Sequence, residues 1–263
     1  MKLLPALFLA AAMAADGQTL PPEQLARVDF EQHLGASLPV NAIFRDESGA
    51  PVQLGRYFGE RPVVLALVYY ECPNLCTVVL NGMLESLRNV RQTAGSDFDV
   101  VVVSIKPGDS PALAADKKHT YTMRYGRPGS AKGWHFLTGD APNIRQLAEA
   151  IGYRYIYEPQ SKQYAHASGI VIATPQGKVS RYFLGIEYPP KDVRVALSDA
   201  SDSKVGSLAN RLLLLCFHYD PQTGRYSLII TRAIQLAGMG TVLLLGIIIV
   251  RMTRQENRKE GLS

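Results

Sequence analysis

The chain has 263 residues, 47% hydrophobic and 19% charged, which is enough apolar material for one core plus extra segments and too little charge for general disorder. Its formal charge is +5, but Lys2 accounts for one unit in 1–14. Arg251, Arg254, Arg258 and Lys259 against Glu256 and Glu260 account for two more in the tail, leaving +2 for residues 15–250. So thin a charge excludes the clustered basic face that nucleic-acid binding requires.

The first segment, MKLLPALFLAAAMAADGQ, carries one lysine, a short apolar run and Ala12-Met13-Ala14 as a small-x-small cleavage site, so residues 1–14 read as a signal peptide. The proline-marked stretch that follows, through NAIF, reads as an arm wrapping a domain. NAIFRDESGAPVQL predicts a hairpin turning at Ser48-Gly49. PVVLALVYY (62–70) and FDVVVVSI (98–105) are continuous β-branched runs, the pattern of strands buried on both faces. Between them, Val79, Leu80, Met83, Leu84, Leu87 and Val90 fall at helical spacing.

A second helix is expected over PALAADKKHTYTMRYG after Asp109-Ser110, and a third over APNIRQLAEAIG after HFLTG. The alternating YRYIY follows, then a hairpin across Pro175-Gln176-Gly177 in SGIVIATPQGKVSRYFL, then a short proline-started helix at PPKDVRVALSDAS. Strands alternating with helices and closing on a hairpin imply an α/β domain with mixed strand directions, in one body over about 15–230. RLLLLCFHYDPQTGRYSLII (211–230) reads as a further hairpin turning at Asp220–Gly224.

AIQLAGMGTVLLLGIIIV (233–250) is eighteen residues without a charge, long enough at about 1.5 Å per residue to cross a bilayer. The basic tail 251–263 follows at once, which puts the C-terminus in the cytoplasm and the body in an extracytoplasmic space, a bacterial periplasm. That compartment is oxidising, so cysteines there form disulfides unless they are kept reduced.

Chemistry concentrates in YYECPNLCT (69–77). A buried strand running into Cys72-Pro-x-x-Cys76 and then a helix puts both sulfurs where strand ends meet a helix N-terminus, the crevice in which open α/β sheets bind ligands. The helix dipole and free amides there favour thiolate. Two cysteines four apart can close a disulfide or share one soft metal ion. Three cysteines are too few for a four-thiolate zinc or iron–sulfur site, so a structural zinc site would need two histidines as well, while copper can be held by two thiolates and one imidazole. Of the five histidines, His166 in QYAHASGIVIA reads as a loop residue just before a strand, among small neighbours. His119 and Met123 read as a solvated helical face; Trp134, Tyr153, Tyr155 and Tyr157 read as packing. No phosphate loop, nucleophile elbow or HExxH is present.

Over roughly residues 35–200 the chain resembles the Sco/SenC family of copper-binding, thioredoxin-like proteins that support cytochrome c oxidase assembly. The resemblance rests on the buried strand, CPNLC, the aliphatic helix, FDVVVVSI, FLTG and a lone histidine about ninety residues after the second cysteine. It implies a thioredoxin-like mixed sheet flanked by helices. It also implies a copper site of Cys72, Cys76 and His166, and delivery of copper to the dinuclear copper centre of the oxidase subunit. A second function is open on the same residues: a thiol–disulfide exchanger in which Cys72 attacks and Cys76 resolves, keeping the oxidase cysteines reduced. The chain departs from the family pattern in three ways. Lys106 stands where the family carries an aspartate, with Asp109 as a partial substitute; the anchor is C-terminal; and the 211–230 extension adds Cys216 and His218, with Cys216 expected to be a free buried thiol.

Overall fold

Chain direction and β-branched side chains decide the centre of this molecule. The computed structural model describes residues 28–71, 75–159 and 162–206, with short stretches at 219–220, 225–226, 238–239 and 241. In chain order the elements are β1 (Asp29–Phe30), β2 (Ile43–Arg45), β3 (Pro51–Gln53), β4 (Val63–Val68), α1 (Leu75–Arg88), β5 (Asp99–Ser104), α2 (Pro111–Tyr125), β6 (Trp134–Leu137), α3 (Ala141–Ala150), β7 (Tyr153–Glu158), β8 (Gln163–His166), β9 (Gly169–Ala173), β10 (Val179–Leu184), α4 (Pro190–Ser201), β11 (Tyr219–Asp220) and β12 (Arg225–Tyr226).

The main sheet has the order β10-β9-β4-β5-β6, with β4, β5 and β6 parallel, β9 antiparallel to β4 and β10 antiparallel to β9. Every residue of β4, β5 and β9 is buried, as expected of strands covered on both faces. Helix α1 packs against β4 and β9 and touches both α2 and α4. Its Val79, Leu80, Met83, Leu84 and Leu87 all enter the core. Helix α3 packs instead on β7, in a second sheet of order β1-β7-β8.

Between residues 28 and 206 the predicted helices and hairpins form where expected, and their ends show why. Ser110 caps α2, its Oγ accepting from the Leu113 amide at 3.2 Å, and Asp140 caps α3 by accepting from the Asn143 amide at 3.0 Å. In the β2–β3 turn the Asp46 carboxylate accepts from the Ser48 and Ala50 amides (2.9 and 3.0 Å), and Gly49 adopts φ +84°. The arm ahead of β2 does wrap the domain: β1 pairs with β7, and the Gly35 and Leu38 amides bond carbonyls of the β9–β10 hairpin. In the C-terminal extension Tyr219 pairs with Tyr226 and Asp220 with Arg225, across the predicted turn.

Residues 1–27, which contain the expected signal peptide, and 207–218, which contain Cys216 and His218, lie outside the described residues, as do most of 233–250 and all of 251–263. Among the described residues no helix is long and apolar enough to cross a membrane.

Candidate functional site

The site is built at the carboxyl end of β4. Tyr70, just past that end, is fully buried and its hydroxyl lies 2.9 Å from the carbonyls of Val102 in β5 and Leu137 in β6, which pins the strand exit to the sheet. Cys72 lies outside the described residues, and so does the side chain of Cys76. The backbone of Cys76 occupies the first turn of α1, where a helix N-terminus favours a thiolate.

His166 is placed at the same end of the sheet. Strand β9, three residues further on, runs antiparallel to β4 with Leu65 opposite Val171, so the start of β9 lies beside the exit of β4. The structure corrects the expectation of a loop histidine. His166 is the last residue of β8, paired with Tyr155 of β7, and only 8% exposed. A four-residue strand ending at an alanine-flanked histidine has too little apolar alternation to read as a strand; only pairing with β7 makes it one. Burial lowers the imidazole pKa, with the Ala167 carbonyl pulling the other way, so the ring is held neutral, the form that ligates metal.

Its surroundings are what the sequence could not show. The Tyr153 hydroxyl lies 2.7 Å from His166 Nδ1 and bonds the Leu67 carbonyl of β4 at 3.2 Å, while the Ala167 carbonyl lies 2.7 Å from the same Nδ1. Tyr153, read from the sequence as packing, is therefore also the polar link between the two sheets. No local signal pairs position 153 with 166, although the alternation of YRYIY does put 153 and 155 on one face.

The departure at position 106 makes a charged cluster. Lys106 pairs with Glu71, the residue before Cys72, lies 5.6 Å from the centre of the Tyr69 ring, and sits 3.5 Å from Asp109. The Glu71 hydrogen bond raises the ammonium pKa above the usual lysine value. Asp109, its side chain 1% exposed, accepts from Ser104 Oγ at 2.6 Å and faces a cavity of about 550 Å³ between the β2–β3 hairpin and the start of α3. Lys106 thus bridges one exposed carboxylate at the cysteine turn and one buried carboxylate at the end of β5.

The other candidates separate cleanly. Met123 is 68% exposed and His119 is exposed on α2, while Trp134 and Tyr153 are core residues. His135 packs against Tyr57 with ring centroids 4.4 Å apart and the rings tilted by 41°. Among the described residues, which include neither motif thiol, no three of His, Cys, Asp and Glu gather as a metal site. The donor chemistry still suits a soft ion: a buried neutral imidazole stands at the strand end from which the two-thiol turn departs.

A family model described as SCO1/SenC matches residues 43–199. No curated protein matches the chain in sequence. Among solved structures the chain is similar to an electron-transfer candidate from Aquifex aeolicus VF5, at 22% identity over 64% of this chain and 95% of that one, with a TM-score of 0.57. It is similar to ScoI of Arabidopsis thaliana with copper bound (14% identity, 64% and 98% covered, TM-score 0.51). It is also similar to BsSco, described with a disulfide switch as a member of the Sco family of cytochrome c oxidase assembly proteins (22% identity, 67% and 99% covered, TM-score 0.51). At these identities the likeness establishes the fold, the mixed α/β arrangement of the thioredoxin-like Sco proteins.

Proposed function

The chain belongs to the SCO1/SenC family, and from that premise we propose that it is a membrane-tethered copper carrier whose cargo is held by Cys72, Cys76 and His166. The observation that carries this reading is His166: a neutral imidazole, buried and oriented at Nδ1, at the exit of the strand that leads into the cysteine turn. A purely redox pair has no need of it. Two thiolates and an imidazole prefer copper in its soft, reduced state. On this reading ligand exchange passes the ion to an acceptor site.

The acceptor on this reading is the dinuclear copper centre of a cytochrome c oxidase subunit, in keeping with the assembly role stated for BsSco. The tether is the apolar segment 233–250, a single pass with the basic tail in the cytoplasm and the folded body in the periplasm after loss of 1–14. The domain then stays near a membrane-embedded recipient.

The test is an anaerobic titration of the full-length reduced chain, in detergent, with Cu(I) against a competing chelator, beside His166→Ala and Cys76→Ala. One tightly held copper per chain, weakened in both variants, is expected. Absence of tight copper, or binding indifferent to His166, overturns the ligand set and leaves thiol–disulfide exchange by Cys72 and Cys76 as the function.

A further inference from the structure

Resting on the reading of His166 as a copper ligand, we propose that Tyr153 is a positioning residue for it: its hydroxyl joins the strand that delivers the histidine to the strand that delivers the cysteines and, together with the Ala167 carbonyl, holds the ring hydrogen on Nδ1. The argument starts from the acceptor. A carbonyl oxygen can only accept, and that of Ala167 lies 2.7 Å from His166 Nδ1, so Nδ1 carries the hydrogen. The Tyr153 oxygen, 2.7 Å from the same nitrogen, is then a second acceptor, and its own hydrogen is directed to the Leu67 carbonyl at 3.2 Å. The neutral ring so held has its lone pair on Nε2. One hydroxyl therefore accepts from the histidine arm and donates to β4, five residues before Cys72.

The tyrosine is itself held. It is buried, it stands diagonally across the β7–β8 ladder from His166, and Phe30 of the arm strand packs edge-on against its ring at 5.0 Å and 85°. Phe30 makes the same contact with Tyr182 on its other side, at 5.2 Å and 90°. The Tyr182 hydroxyl bonds the Ile151 carbonyl and the His33 amide, with no hydrogen bond to His166 among those described. The two tyrosines form a comparable pair: both buried (3% and 8% exposed), both in edge contact with Phe30, and, among the described hydrogen bonds, only Tyr153 bonded to the imidazole. A metal-bound histidine is commonly oriented by a partner on its other nitrogen, and losing that partner costs roughly ten- to a hundredfold in affinity.

The experiment compares Tyr153→Phe with Tyr182→Phe in the full-length chain in detergent, with thermal melts recorded on both. In the copper-free protein, long-range proton–nitrogen NMR on histidine-labelled samples reads the His166 tautomer; Cu(I) competition reads affinity. Wild type and Tyr182→Phe are expected to show the Nδ1–H form. Tyr153→Phe is expected to shift the ratio roughly five- to tenfold toward Nε2–H, the weight of one hydrogen bond, and to weaken Cu(I) roughly tenfold or more. An unchanged tautomer ratio in Tyr153→Phe overturns the proposal whatever copper does. So does a Tyr182→Phe effect of equal size, since loosening alone would then explain both. Unchanged affinity in Tyr153→Phe beside a weakened His166→Ala overturns it too. If His166→Ala leaves Cu(I) unmoved, the ligand reading falls instead, and the tautomer ratio alone decides whether Tyr153 orients the ring.

Discussion

The two arms that converge on the site are built differently. The cysteine arm leaves from β4, six buried residues paired on one edge with β5 and on the other with β9, and Tyr70 bonds its exit to β5 and β6. The histidine arm is β8, four residues long, at the edge of a three-stranded sheet and paired only with β7. A central strand is held by ladder bonds on both edges, by core packing and, here, by the Tyr70 hydroxyl at its exit. An edge strand with one buried residue is held on one side only, and the side-chain bonds at its end run from His166 to Tyr153 and through it to Leu67. One arm is paired on both edges and the other on one.

The largest expected effect falls on the cysteine arm. A Cβ at Gly82 of α1 would stand 1.9 Å from the Ile186 carbonyl, a backbone atom that cannot step aside cheaply. Gly82→Ala is expected to cost about 4 kcal/mol in a urea titration and to lower hydrogen-exchange protection throughout β4 and β5. Near-wild-type stability would mean that α1 is free to shift, and that the arm is less rigid than the sheet implies.

Phe30→Ala comes next, at about 3 kcal/mol, by removing the ring wedged between Tyr153 and Tyr182. Exchange should accelerate in β7 and β8 well before β4. Equal acceleration in both sheets would dissolve the contrast between the arms. Lys106→Ala should cost less than about 1 kcal/mol, because the ammonium is about a third exposed and its pair with Glu71 is solvent-screened. A loss above about 2 kcal/mol in the same urea assay would show that buried Asp109 relies on that lysine, and so would reassign Lys106 to the core of the site.

The smallest effect is on pH dependence. Burial lowers the pKa of both His135 and His166 below the ordinary 6.5, with Lys118 adding to the effect at His135 and Glu47 and Asp99 opposing it. The folded state therefore holds these rings neutral while the unfolded chain takes up protons. Stability from this source is fully present above about pH 6.5 and declines as pH falls toward the folded values, by less than about 1.4 kcal/mol per pH unit for each ring. Melting curves of the metal-free chain at stepped pH should show the decline, and His135→Gln should flatten it. An unchanged slope in that variant would leave the decline to other groups.

The sequence determined a good deal by itself. The β-branched runs of β4, β5 and β9 specify strands buried on both faces, the 3.6-residue spacing from Val79 to Leu87 specifies α1, and Ser110, Asp140 and Gly49 mark the ends and turns. The cysteine motif following a β-branched run is a local signal too. These are all signals carried within a few residues, where backbone sterics and periodic burial act. What only the tertiary structure decided is how distant positions meet. His166 becomes a strand end because β7 supplies its hydrogen bonds, Tyr153 becomes a polar hinge because Leu67 and His166 reach it from two sheets, and Lys106 finds Glu71 across two strand exits. Contacts over such separations leave no periodicity to read, since each depends on a sheet register and a packing angle that the whole core sets.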